Sequence, residues 1–245
     1  MSQIRMGGYQ MLPPVVKNLI IINVLFFLAT ISLNSFFSMD HYFALHYFKS
    51  PYFMPHQIIT YMFMHGGVSH ILFNMFALWM FGANMENIWG PKRFLTFYMV
   101  AGLGAGIIQL LFMQIQYMNY ASELDSMTID MILREGAAVI ESGRNWTDVN
   151  IGGLNSVINT PVVGASGAVY GLLLAFGMTF PEAIIYLYFM FPIKAKWFVI
   201  GFGALELFSG IRNSATDNVA HFAHLGGMLF GFILIKYWQK KKLRY

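Results

Sequence analysis

The sequence predicts an all-α polytopic membrane protein, a bundle of six transmembrane helices with both termini cytoplasmic. Three observations lead there. Of 245 residues 57% are hydrophobic and only 11% charged, against roughly 25% charge in a soluble domain. The apolar residues gather into runs near the ~20 that a helix needs to cross hydrocarbon. Lys and Arg collect at one set of run edges. The length suits a single membrane domain over residues 1–245. With no cysteine, disulfides, thiolate nucleophiles and thiolate-bound metals are excluded, so any chemistry must use oxygen and nitrogen.

The first run, LIIINVLFFLATISLNSFF from Leu19, is too long for a signal-peptide core and has no small-residue cleavage site, so it is expected as a retained span. Residues 38–64 follow, where Tyr42, Phe43, Tyr47, Phe48, Tyr52 and Phe53 interleave with His41, His46, Lys49 and His56. That mixture suits the membrane interface. The second span is expected from Val68 to Met85 and the third from Phe94 to Phe112.

Residues 115–160 form an acidic extracytoplasmic insertion, with Glu123, Asp125, Asp130, Glu135, Glu141 and Asp148 set against Arg134 and Arg144. In it Ile129, Ile132, Leu133, Val139 and Ile140 keep helical spacing up to Gly143, which predicts one short amphipathic helix. The triplet Asn145, Trp146, Thr147 is read as a chance glycosylation sequon. The fourth span is expected from Ala165 to Phe180, the fifth from Trp197 to Ile211 and the sixth from Val219 to Trp238. Between the fourth and fifth, AIIYLYFMF at 183–191 lies between Pro181 and Pro192; it is too short to cross and reads as an interfacial turn.

Six spans put both termini on one side. Arg5, Lys17, Lys92, Arg93, Lys194, Lys196, Lys236, Lys240, Lys241, Lys242 and Arg244 fall on that side and only Lys49, Arg134, Arg144 and Arg212 opposite, 11 against 4. The positive-inside rule makes the richer side cytoplasmic, and the same bias accounts for the net charge of +4 without a nucleic-acid partner. The KKKLR tail is a topology anchor first and a contact for anionic lipid second. A six-span chain with no leader and cytoplasmic termini predicts a bacterial cell inner membrane.

The chemistry centres on VGASGAVYG, residues 163–171. For GASG alone, packing is the commoner reason, since Gly167 and Gly171 form a GxxxG pair beside Gly164. Serine becomes a nucleophile only with a base in hydrogen-bond reach and donors for the oxyanion. His224, in AHLGGMLFG, is the best base: Gly227 and Gly231 share its helical face, so the imidazole sits on the surface that can press against another helix. If that helix is the fourth span, His224 meets Ser166 near the outer ends of both. His221 is closer to the preceding loop and is set aside. In MHGGVSHILFNMF, His70 and Asn74 stand four apart on one face and offer N–H donors suited to a developing oxyanion. Their commoner use is hydrogen bonding between helices.

With HGGVSHILFN, GASGAVYG and AHLGGMLFG in this order, the chain resembles a rhomboid intramembrane serine protease over most of its length. The resemblance implies that Ser166 is the nucleophile and His224 its base in a dyad without a third, acidic member. It implies an oxyanion hole of His70, Asn74 and the Ser166 backbone N–H, and a Tyr170 ring packed on the catalytic imidazole. Residues 38–64 would be the family's first loop, residues 212–218 part of a flexible cap, and Glu86 a structural acid at the inner end of span two. The implied partners are the transmembrane segments of substrate proteins and the bilayer itself, with no cofactor, no metal and no nucleic acid. The stretch MPHQII lacks a tryptophan that many relatives carry, the first loop lacks a Trp-Arg pair, and the insertion is longer than the family core.

Other classes fit less well. A silent rhomboid-like binder or chaperone of membrane proteins would typically have lost Ser166 or His224. A transporter or channel would carry ionisable groups deep in its spans, where only Glu206, near the outer end of span five, is a candidate. A metalloprotease would want H-E-x-x-H, and an intramembrane aspartyl protease two aspartates in spans.

Overall fold

The computed structural model describes residues 8–33, 36–187, 190–212 and 220–242. Arg5, Arg244 and all of the expected cap except Arg212 lie outside the described residues. The rest is mostly helical. Among the described residues three helices are long and apolar enough to cross a membrane: Pro14–Leu33, Val68–Trp89 and Pro91–Ala121.

Helix α1, Pro14–Leu33, starts five residues before the apolar run that announced it. Its start is fixed by capping rather than by hydropathy. Pro14 supplies a preset φ and needs no N–H partner, and the buried Glu86 carboxylate accepts from Val15 N at 2.9 Å and Val16 N at 2.8 Å. A carboxylate there satisfies orphaned donors and meets the positive end of the helix dipole.

The first loop is built, not slack. It holds short helices α2, Met39–Phe43, and α3, Gln57–Thr60, and a 3₁₀ turn at Tyr61–Phe63. Buried Gln57 organises it: its amide donates to the carbonyls of His41 and Tyr52, and its oxygen accepts from His46 N and Met54 N.

The second apolar run becomes α4, Val68–Ala77, a π-helical turn at Leu78–Gly82, and α5, Ala83–Trp89. Helix α6, Pro91–Ala121, has 31 residues and runs well past Phe112. The single helix expected in the insertion is two: α7, Ser126–Glu141, and α8, Val149–Asn159. Helix α8 escaped periodicity because its sequence, VNIGGLNSVIN, breaks the apolar stripe with Asn, Ser and Gly. What makes it a helix is its cap, Asp148, which accepts from Asn150 N and Ile151 N, and a small second core of Tyr47, Met113, Ile132, Leu154, Val157 and Ile158. The Asn145 amide of the sequon donates to Gly152 O at 2.9 Å and Ser156 Oγ at 2.8 Å.

Helix α9 is Ser166–Thr179. The expected interfacial turn is an antiparallel hairpin, β1 Ile184–Leu187 against β2 Phe191–Lys194, with Ile185 opposite Ile193. Exposed Glu182 sits between Lys194, 2.8 Å away, and Lys196, and these hydrogen-bonded cations hold its carboxyl down at about 2. Helices α10, Ala195–Arg212, and α11, His221–Lys242, complete the described residues.

Helices α6, α9 and α11 form the centre, each packed against the other two, with α10 on the outside of α9 and α11. The main apolar core joins Leu78, Phe94, Phe97, Tyr98, Ala168 and Leu172 across these elements.

Candidate active site

The site lies where the N-terminal ends of α4, α9 and α11 come together, and glycines make that approach possible. A Cβ on Gly227 would overlap the carbonyl oxygen of Gly167, one on Gly171 would come within 2.9 Å of Gly227 O, and one on Gly231 within 3.4 Å of the Gly171 Cα. Helices α9 and α11 therefore touch backbone to backbone, which only small residues permit.

The segment leading into α9 is held by the first loop. Leu45 and Val162 exchange both backbone bonds, at 2.9 and 2.8 Å, and Gly164 N donates to Tyr61 O at 2.9 Å. Gly164 has φ 131, a left-handed conformation that side chains resist. A Cβ there would also stand 2.9 Å from His70 Nε2 and 3.4 Å from Ser166 Oγ, so the missing side chain leaves open the space between the imidazole and the hydroxyl. Ser166 follows as the first residue of α9.

His224, buried on the first turn of α11, points its Nε2 at Ser166 Oγ across 2.8 Å. Tyr170, one turn after Ser166, lies flat against the same imidazole, with centroids 4.2 Å apart. Buried Asn74 turns its amide toward its own helix, donating to His70 O at 3.1 Å. His70 also meets the buried ring of His65 edge-on at 5.1 Å.

One carboxylate enters from α10. Glu206 Oε2 stands 2.9 Å from His224 Nδ1 and 2.6 Å from His221 Nδ1, and Tyr170 OH donates to Oε1. The resemblance implied a pair without an acid, yet an acid occupies the far edge of the imidazole. His221, set aside as a loop neighbour, opens α11 and shares the acid with His224. Two signals in the sequence pointed this way: a lone acid in an apolar span is costly unless partnered, and His221 is three residues from His224, on one helical face.

Glu206, His221 and His224 are also a candidate cation-binding set by residue type. Their spacing argues for hydrogen bonds. Two ligands at ~2.0–2.1 Å on a tetrahedral zinc stand about 3.3 Å apart, whereas these N···O separations are 2.6 and 2.9 Å.

A family profile described as the Rhomboid domain matches residues 53–240. RHOMBOID-like protein 12, mitochondrial, of Arabidopsis thaliana is 29% identical over 235 residues, 94% of this chain and 60% of that protein. Rhomboid protease AarA of Providencia stuartii is 26% identical over 179 residues, 71% of this chain and 52% of its own length. Rhomboid protein 1, mitochondrial, of Saccharomyces cerevisiae is 24% identical over 191 residues, 76% and 44% of the two chains. The chain thus spans between 44% and 60% of the length of these relatives. They correct one expectation: two of the three are named as mitochondrial, which overturns the bacterial cell inner membrane deduced from span count and basic residues. Charge bias reports the side of a membrane, not which membrane. Through a profile match that covers most of its length, the chain belongs to the rhomboid family.

Proposed function

We propose that this chain is an intramembrane serine endopeptidase that cuts substrate proteins in or beside their transmembrane helices, within a mitochondrial membrane. The observation that carries the reading is the 2.8 Å separation of His224 Nε2 and Ser166 Oγ, which puts an imidazole in reach of the one hydroxyl on the glycine-lined helix end. Ser166 Oγ attacks the peptide carbonyl while its proton passes to Nε2. The proton then goes to the leaving amine, and water, activated by the same imidazole, releases the acyl group. Ser166 stands at the start of a helix, where N–H groups lack intrahelical partners. Its backbone N–H, the Asn74 amide and the His70 ring are the donors assigned to the oxyanion.

In this reading six helices cross the membrane as one domain, with both termini on one side and the site open to the other. The 14 residues of α9 rise only about 21 Å, short of a hydrocarbon core of ~30 Å, so Ser166 lies below the membrane surface in a space that admits water. A substrate helix has every backbone group paired internally and must unwind before attack. Small or glycine residues near the cut bond are the expected preference.

The test is cleavage of a single-span reporter by purified protein in liposomes. Product from the wild type and none from Ser166→Ala supports the reading. Two folded proteins that both fail on several helix-breaking reporters would leave a silent binder of membrane segments as the better account. Equal cleavage by both would remove Ser166 from the chemistry.

A further inference from the structure

We infer that Glu206 is the third member of a Ser166–His224–Glu206 triad, the positioning residue that sets the tautomer and charge of His224; this rests on the protease reading above. Two imidazole Nδ1 atoms lie 2.6 and 2.9 Å from a single oxygen, Glu206 Oε2, and a tyrosine hydroxyl bonds the other oxygen. A protonated glutamic acid could donate to only one of these three partners. An ionised carboxylate, the ordinary state of glutamic acid near neutral pH, accepts from His221, His224 and Tyr170 alike. His224 then carries its proton on Nδ1, and the lone pair of Nε2 faces Ser166 Oγ 2.8 Å away. That is the tautomer a base needs at this place.

Burial points the same way. The Glu206 side chain is 7% exposed and that of His224 9%. A lone carboxylate in such surroundings is retained only where partners hold it. When Ser166 attacks and His224 gains a second proton, the neighbouring negative charge stabilises the imidazolium without any rearrangement. Glu206 belongs to α10, while the other two members belong to α9 and α11, so three helices must be docked together for the triad to exist.

Among the described residues the groups facing this carboxylate are Tyr170 from α9 and His221 and His224 from α11. On the far side of the imidazole lie Ser166 and, beyond it across Gly164, His70. The test compares wild type, Ser166→Ala, Glu206→Gln and Glu206→Asp on a single-span reporter in liposomes across pH. Expected for Glu206→Gln is a kcat lower by about 10²- to 10⁴-fold with little change in KM. The acidic limb of its kcat/KM profile should move to lower pH, because His224 loses the charge that favours its protonated form. Glu206→Asp recovers part of the rate. Unchanged kcat and an unmoved limb in a folded Glu206→Gln protein would overturn the inference while leaving the protease intact, as would a loss that only follows the unfolded fraction. Equal cutting by wild type and Ser166→Ala would instead sink the protease reading and Glu206's role with it. Should Glu206→Gln not fold, ¹⁵N-histidine NMR of the wild type decides: Nδ1 protonated and Nε2 bare on resting His224 supports the triad, and the reverse tautomer overturns it.

Discussion

The Tyr170 ring lies parallel to the His224 imidazole, 4.2 Å away and tilted by 6°, while its hydroxyl reaches past the ring to Glu206. One side chain thus does two things, and two substitutions separate them. Tyr170→Phe keeps the stacking surface and removes one donor from a buried carboxylate. A hydrogen bond to a charged group contributes at least about 1.5 kcal/mol, so kcat for a reporter peptide should fall roughly tenfold or more. Tyr170→Ala also frees the imidazole to tilt, and about a hundredfold loss is expected. Equal kcat for Tyr170→Phe and wild type would mean that the hydroxyl contributes nothing to the reaction.

Gly227 and Gly201 form a matched pair for testing the helix contact. A Cβ on Gly227 would strike the Gly167 carbonyl, whereas one on Gly201, in α10, meets nothing within 4 Å. Backbone cannot rotate out of the way, so Gly227→Ala should cost about 3 kcal/mol, near the top of the overpacking range, and lower Tm by about 6–12 °C. Gly201→Ala should hold or slightly raise Tm, because alanine has the better helix propensity. A Gly227→Ala protein as stable as wild type would show that α9 and α11 are not in backbone contact.

Glu86 closes the N-terminus of α1 with two hydrogen bonds, at 2.9 and 2.8 Å, at the other end of the Val68–Trp89 span from His70. Glu86→Ala should cost about 1–2 kcal/mol, the usual size of a lost helix cap. The reporter rate per folded molecule should stay at the wild-type value. Thermal unfolding beside a kcat measurement checks both halves.

In the hairpin, Lys194 and Lys196 hold the Glu182 carboxyl at about 2, below its ordinary 4.5. Because the folded value is the lower one, any stabilisation from this cluster is fully present above about pH 4.5 and disappears as pH falls toward 2. Glu182 is exposed, so the effect on global stability should be small. A ¹³C titration of the side chain should show the low midpoint in wild type and a return toward 4.5 in the Lys194→Ala, Lys196→Ala protein. An identical midpoint in both would remove the ion cluster.

Much of the helical framework was legible in the sequence. The runs read as spans are helical over most of their described residues, because an apolar run that hides its own backbone polar groups needs no information from elsewhere. The glycines of GASG and AHLGG were legible as contact faces for the same local reason. Where capping rather than hydropathy sets an end, as at Pro14 under Glu86, the reading slipped by five residues. Where a helix is held by neighbours rather than by its own stripe, as in α8, it was missed.

By itself the sequence determined the solvent this protein lives in, the helices that follow from it, and the three segments that bring Ser166, His224, His70 and Asn74 into one neighbourhood. Only the tertiary structure decided that Leu45 pairs with Val162, that Gly164 takes a positive φ beside His70, and that Glu206 bonds His224. The first kind of information is periodic and is carried by residues within a turn or two of each other. The second depends on how separate helices rotate and dock. A lone glutamate on α10 has no local signature for the imidazole it meets eighteen residues later.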